Sequence, residues 1–176
     1  MANDILIVDD EADICKLIAG ILEDEGYETR EAGSSSEAFS AIEVRQPSLI
    51  ILDVWLQNSQ YDGLQMLEII RRDNPDQQVL MISGHATFDM AVRATKMGAY
   101  DFLTKPFKSE VLLHTISRAV EDNRLRRENL TLQKQVGDRL NDLTGNSPAI
   151  AQLRQALEKV APTDSRVLIT GSVSYT

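Results

Sequence analysis

The sequence predicts an α/β domain, a doubly wound five-stranded parallel sheet with helices on both faces, followed by a long C-terminal helix. Three observations carry this. Up to about residue 107, short apolar runs alternate with amphipathic stretches. The runs at 5–8, 49–52 and 79–82 are continuously apolar, as strands covered on both faces require. From Phe107 to about Gln135 nothing breaks a helical pattern.

Ile5-Leu6-Ile7-Val8 forms the first strand. Ile14, Leu17, Ile18, Ile21 and Leu22 then recur at helical spacing, and Gly26 supplies a stop. Tyr27 to Glu31 alternates and is more polar, which suits an edge strand. Ser34 to Ser36 cap a helix carrying Ala38, Phe39, Ala41 and Ile42. Leu49 to Leu52 is the third strand. Leu64, Leu67, Ile69 and Ile70 mark a helix that Pro75 ends. Val79 to Ile82 is the fourth strand, followed by a helix marked by Phe88, Ala91, Val92 and Thr95 and stopped by Gly98. On that helix Met90, Ala94 and Met97 form an apolar stripe, read as core. Asp101 to Leu103 is a short fifth strand.

In the long helix Val111, Leu112 and Ile116 are expected to cover the sheet. Leu125, Leu132, Val136 and Leu143 keep roughly heptad spacing, which fits either a signalling coiled coil or a solvated linker helix. Ser147 and Pro148 open another helix, with Ile150, Leu153, Leu157 and Val160 on its apolar side. Arg166 to Gly171 reads as a further strand.

Composition narrows the function. A net charge of −9 leaves the bulk of the chain unsuited to gripping DNA or anionic lipid. The single cysteine, Cys15, rules out an internal disulfide and reads as a packing or surface thiol. The N-terminus lacks the features of a signal peptide and no apolar run is long enough to span a bilayer, so the expected compartment is the cytoplasm.

Chemistry gathers at strand ends. Asp9, Asp10 and Glu11 follow the first strand and Asp53 follows the third. Parallel strands bring these ends to one rim, where ligands of such sheets sit. Clustered carboxylates repel unless a cation joins them, and hard oxygen ligands suit Mg²⁺. Ser83 ends the fourth strand and Lys105 follows the fifth. A hydroxyl and an ammonium facing a carboxylate–metal centre suit a phosphoryl group, with Asp53 as nucleophile.

The segments Ile5 to Glu11, Leu52-Asp53-Val54, Asp62-Gly63, Ile82-Ser83-Gly84 and Thr104-Lys105-Pro106-Phe107 together resemble the receiver domains of two-component response regulators, over residues 4 to about 120. The resemblance implies a flavodoxin-like fold with strand order 2-1-3-4-5. It implies Asp53 as phosphoacceptor, Asp10 as direct metal ligand, Asp9 as a ligand directly or through water, and the Trp55 backbone carbonyl completing the shell. Ser83 is implied as the switch hydroxyl, Lys105 as the phosphoryl partner, and Phe102 as the aromatic switch residue, here without a phenol hydroxyl. His85 lies two residues past Ser83, over the implied phosphoryl site, and reads equally as a loop residue. One departure stands out: residues 54–61 form a longer loop than receivers usually have, without proline.

That loop, with Leu143 to Ile150 and Val167 to Gly171, makes the chain similar to nitrogen regulators of the NtrX type in the NtrC group. The implied organisation is a receiver at 1–120, a helical linker at 121–143, and at 144–176 the start of a truncated AAA+ domain. The glycine–lysine pair of a Walker A loop does not follow Gly171; Ser172 to Thr176 stand there instead, so ATP binding at that place is not expected. Implied partners are a sensor histidine kinase of the NtrY kind and a second copy of the chain near the fourth helix and fifth strand. DNA and sigma-54 RNA polymerase would be reached only through further domains, and no membrane is involved. Beyond gaining and losing its own phosphoryl group, the chain is not expected to be an enzyme. Rival readings are a phosphorylation-independent dimerisation module and a Mg²⁺ phosphohydrolase. A flavin or dinucleotide role is weaker, since no glycine-rich loop follows the first strand.

Overall fold

The computed structural model describes residues 3–57, 59–141 and 147–160, those at 127, 129–141 and 149 by their backbone alone. The chain divides into two compact units, Met1–Arg127 and Glu128–Thr176.

The first unit alternates strands and helices: β1 (Asp4–Val8), α1 (Ala12–Asp24), β2 (Glu28–Ala32), α2 (Ser35–Val44), β3 (Leu49–Asp53), α3 (Gly63–Asp73), β4 (Val79–Ser83), α4 (Phe88–Lys96), β5 (Asp101–Thr104) and the first part of α5 (Ser109–Asn141). The five strands are parallel in the order β2-β1-β3-β4-β5. This is the predicted doubly wound, flavodoxin-like sheet. β1, β3 and β4 are buried along their whole length, which explains their unbroken apolar runs, whereas edge strand β2 is largely exposed or half-buried.

Side chains alternate across the sheet and build two cores. Leu6, Val8, Ile50, Leu52, Val79 and Met81 face α2, α3 and α4, meeting Ala38, Leu67 and Ala94. Ile5, Ile7, Leu49, Ile51, Leu80 and Ile82 face α1 and α5, meeting Ile18, Leu22, Leu112 and Ile116. Each such aliphatic side chain contributes about 1.5–3 kcal/mol on full burial.

Local signals place the helix ends. The Ser34 hydroxyl accepts from the Glu37 N–H, and Asp62 forms a capping box with Gln65. Thr87 caps α4 through the Met90 N–H. Gly98 turns the chain out of α4 at φ +95°, a conformation other residues rarely adopt. Below the sheet Asn123 of α5 is buried and donates to the Ser48 carbonyl, while the Tyr100 hydroxyl donates to Asp122 at 2.7 Å.

Three apolar residues depart from expectation. Leu17, Phe88 and Val111 are 58%, 83% and 46% exposed. On α1 the buried face is Cys15, Ile18, Ala19 and Leu22; on α4 it is Ala94, flanked by Met90 and Met97; on α5 Leu112 and Ile116 cover the sheet without Val111. The apolar stripes there are wider than the face the sheet takes up. Cys15 is a packing thiol.

The second unit holds the remainder of α5 and α6 (Pro148–Val160), whose first turn donates from the Ile150 N–H to the predicted cap, Ser147. Among the described residues no helix is long and apolar enough to cross a membrane. The side chains at the heptad positions Leu132 and Val136 lie outside what is described, as do Leu143, the strand at 166–171 and the segment after Gly171.

Candidate functional site

Because the strands are parallel, their C-terminal ends share one rim. β3 ends on Asp53 and β4 on Ser83, while Asp9 follows β1 and Lys105 follows β5. Backbone hydrogen bonds hold these junctions in register: the Asp9 N–H donates to the Ala32 carbonyl, the Val54 N–H to Ile82 and the Lys105 N–H to Ser83. The Lys105–Pro106 peptide is cis.

Asp9 and Asp53 are both buried, and the Lys105 ammonium joins them. Its Nζ lies 2.6 Å from Asp9 Oδ2 and 2.9 Å from Asp53 Oδ1. The remaining oxygens are also engaged. Asp9 Oδ1 accepts the Glu11 N–H at 3.0 Å, and Asp53 Oδ2 accepts the Trp55 N–H at 2.6 Å. One ammonium serving two carboxylates leaves the centre with a net negative charge, the condition under which a further cation binds favourably.

The electrostatics follow. Burial raises the Asp53 carboxyl above its ordinary value and the Asp9 charge adds to this, against the pull of Lys105 and the Trp55 N–H. Burial pulls the Lys105 ammonium down, but its bonds to Asp53 and Asp9 outweigh that and its pKa rises. Nearby, the Cys15 thiol donates to the Asp9 carbonyl at 3.4 Å; burial, with the charges of Asp9 and Glu31, pushes it up to about 11. It stays protonated and unreactive at neutral pH.

Since the folded pKa of Asp53 lies above the unfolded one, its ionised form weakens the fold above that value, and the penalty disappears as pH falls through it. Asp53→Asn is therefore expected to raise the Tm of the protein in neutral, divalent-free buffer. The gain should shrink on acidification. Thermal melts across pH check this, and a lower Tm for the variant at neutral pH would contradict it.

The structure brings Asp9, Asp53 and Lys105 into direct contact but departs from the predicted cluster of three carboxylates. Asp10 is half-buried, and among the described residues it makes no hydrogen bond or ion pair and no three acidic, histidine or cysteine side chains stand together as a metal site. Lys105 is the cation that joins the two buried carboxylates. Ser83 is buried, its Oγ accepting the His85 N–H at 3.2 Å. Phe102 is half-buried against the core on the α2–α4 side. The Trp55 side chain is exposed.

Sequence reasoning quoted Asp62-Gly63 without seeing its role. A Cβ at Gly63 would overlap the Asp53 carbonyl oxygen and come within 2.9 Å of Val54 Cα, so this glycine lets α3 start against the end of β3. The Gly63 N–H also donates to the Val54 carbonyl at 3.0 Å.

Comparison with known proteins gives a consistent picture. A family model described as the response regulator receiver domain matches residues 5–117. The nitrogen assimilation regulatory protein NtrX of Azorhizobium caulinodans is 50% identical over 171 residues, which are 97% of this chain and 37% of that protein. A crystal structure of NtrX from Brucella abortus has a TM-score of 0.72 at 50% identity, covering 95% of this chain and 36% of that one. The solution structure of the beryllofluoride-activated NtrC4 receiver domain dimer has a TM-score of 0.64 at 41% identity, covering 68% and 98%. The chain thus spans little more than a third of the NtrX proteins it matches.

Proposed function

Because the chain belongs to the response regulator receiver domain family, we propose that Asp53 accepts a phosphoryl group from the phosphohistidine of a sensor histidine kinase. The observation that supports this most directly is the Asp9–Lys105–Asp53 arrangement at the strand rim. A carboxylate oxygen of Asp53 attacks phosphorus, the bond from phosphorus to the donor imidazole nitrogen breaks, and the imidazole leaves. Lys105, already 2.9 Å from Asp53, then pairs with a phosphoryl oxygen. The Ser83 hydroxyl turns from the His85 N–H to donate to another. The Trp55 N–H keeps the carboxylate oriented during attack.

Asp9, Asp10 and Asp53, with the Trp55 carbonyl, are the groups that would hold Mg²⁺, whose charge offsets the carboxylates and the phosphoryl oxygens. The buried pair of carboxylates with one shared ammonium fits such an ion, and Asp10 has a carboxylate to spare for it.

Phosphorylation adds charge beside β4 and β5, so its readout falls on Ser83, Phe102 and α4. On this reading 1–120 is the receiver, 121–143 the linker and 144 onward the start of an AAA+ unit. Two copies associate near α4 and β5. In the whole regulator DNA and sigma-54 RNA polymerase are met by segments outside this chain, with an NtrY-like kinase as donor.

The test is transfer from a purified kinase phosphorylated on histidine. Label should pass to the wild-type chain and not to Asp53→Asn. Equal labelling of the two would remove Asp53 from the reaction.

A further inference from the structure

The loop between β3 and α3 is fastened to α2 at its far end. A helix N-terminus presents N–H groups without partners inside the helix. In α2 the Ser34 hydroxyl takes the Glu37 N–H, while the Ser35 N–H donates to Ser59 Oγ, a loop atom, at 2.9 Å. Two residues on, the Tyr61 ring meets the Phe39 ring of α2 edge to face, with centroids 6.1 Å apart and planes at 81°. Between these anchors and the strand, Leu56 is buried in the same core as Phe39 and Tyr61. The near end of the loop is the Trp55 N–H that donates to Asp53 Oδ2.

From this we infer that Ser59 and Tyr61 are positioning residues for the chemistry at Asp53: by pinning the loop to α2 they hold the Trp55 backbone against the Asp53 carboxylate. The inference rests on the reading of Asp53 as phosphoacceptor. The physical reason is entropic. A loop free at its outer part samples many arrangements, and only a small share of them directs the Trp55 N–H at Asp53. Tethering Ser59 and Tyr61 removes most of the others before any donor arrives, so the geometry is in place at the moment of attack. The longer loop is thereby a held element of the site. Neither Ser59 nor Tyr61 touches Asp53, so both act through Trp55.

The experiment uses the full chain as wild type, Ser59→Ala/Tyr61→Ala and the conservative Ser59→Thr/Tyr61→Phe. Three quantities are read: amide hydrogen exchange at Trp55, Leu52 and Ile82; the Mg²⁺ concentration giving half-maximal phosphorylation by acetyl phosphate; and the maximal rate. In the alanine pair, Trp55 exchange is expected to rise roughly tenfold relative to Leu52 and Ile82. The half-maximal Mg²⁺ concentration should rise roughly tenfold, with a much smaller change in maximal rate. The conservative pair should behave as wild type. Two results would overturn the inference. One is unchanged Trp55 exchange and Mg²⁺ dependence in the alanine pair. The other is an equal rise at all three amides, which would make the anchors part of general stability alone. If wild type takes up no phosphoryl group, the phosphoacceptor reading fails, and the exchange arm then decides the tether by itself.

Discussion

Gly63→Ala is expected to lose about 3 kcal/mol or more of stability, lowering Tm by on the order of 10–20 °C. The added methyl carbon has nowhere to go. It would overlap the Asp53 carbonyl oxygen and press on the Asp53 carbonyl carbon and Val54 Cα, all of them backbone. Backbone cannot swing aside like the end of a flexible side chain, so α3 must lift from β3. That movement also breaks the Gly63 N–H bond to the Val54 carbonyl. The strand end that α3 lifts from is the one carrying Asp53, so uptake of a phosphoryl group should fall with stability. Gly20→Ala is the control. Gly20 is exposed within α1 with nothing near its Cβ direction, and alanine there is expected to stabilise by about 0.5–1 kcal/mol. Thermal or urea melts of the two variants decide the matter. A Gly63→Ala melt within a couple of degrees of wild type would contradict the packing described.

Lys105→Met is expected to cost about 3–5 kcal/mol, since it leaves two buried carboxylates together with no cation between them. The methionine fills the space of the lysine stem, so the loss reports charge more than volume. Two features distinguish this from ordinary destabilisation. First, the sign of the pH dependence is fixed by Asp53, whose folded pKa is already raised and rises further without Lys105. The variant should therefore gain stability as mild acidification protonates Asp53, until general acid unfolding takes over. Second, Asp53→Asn in the same chain removes one of the two charges and should restore most of the loss. A double-mutant cycle in divalent-free buffer measures this coupling. Purely additive effects of the two changes would show that Lys105 and Asp53 do not interact. In phosphorylation, Lys105→Met should also lose the cation that pairs with the added oxygens, so any remaining phosphoryl group would switch the surface poorly.

Much of this architecture was legible in the residues. The continuous runs around Leu6, Ile50 and Leu80 read as strands covered on both sides, and the polar second strand suited an edge. Once the strands are parallel, Asp9, Asp53, Ser83 and Lys105 must share a rim, whatever the details of each helix. What could not be read is the phase of each amphipathic helix. Leu17, Phe88 and Val111 belong to apolar stripes wider than the contact face, and only the position of the sheet decides which edge of a stripe is buried. Nor could charge pairing be read. The sequence shows four ionisable groups at one rim, but that Lys105 joins Asp9 to Asp53 is decided by where the folded backbone places each side chain. The Gly63 contact and the Ser59 and Tyr61 anchors were hidden for a similar reason. Asp62-Gly63 reads equally well as a helix start, and a serine in a loop carries no sign of the helix it will cap.

The central claim is that Asp53 takes one phosphoryl group in a reaction needing a divalent cation. Intact mass after incubation with acetyl phosphate, with and without Mg²⁺, tests it most directly for wild type and Asp53→Asn. The account predicts the mass of one phosphoryl group on wild type with Mg²⁺, and none without Mg²⁺ or on Asp53→Asn. Addition to Asp53→Asn at the wild-type level, or none to wild type from a donor that phosphorylates a control receiver and from a phosphorylated kinase alike, would contradict it.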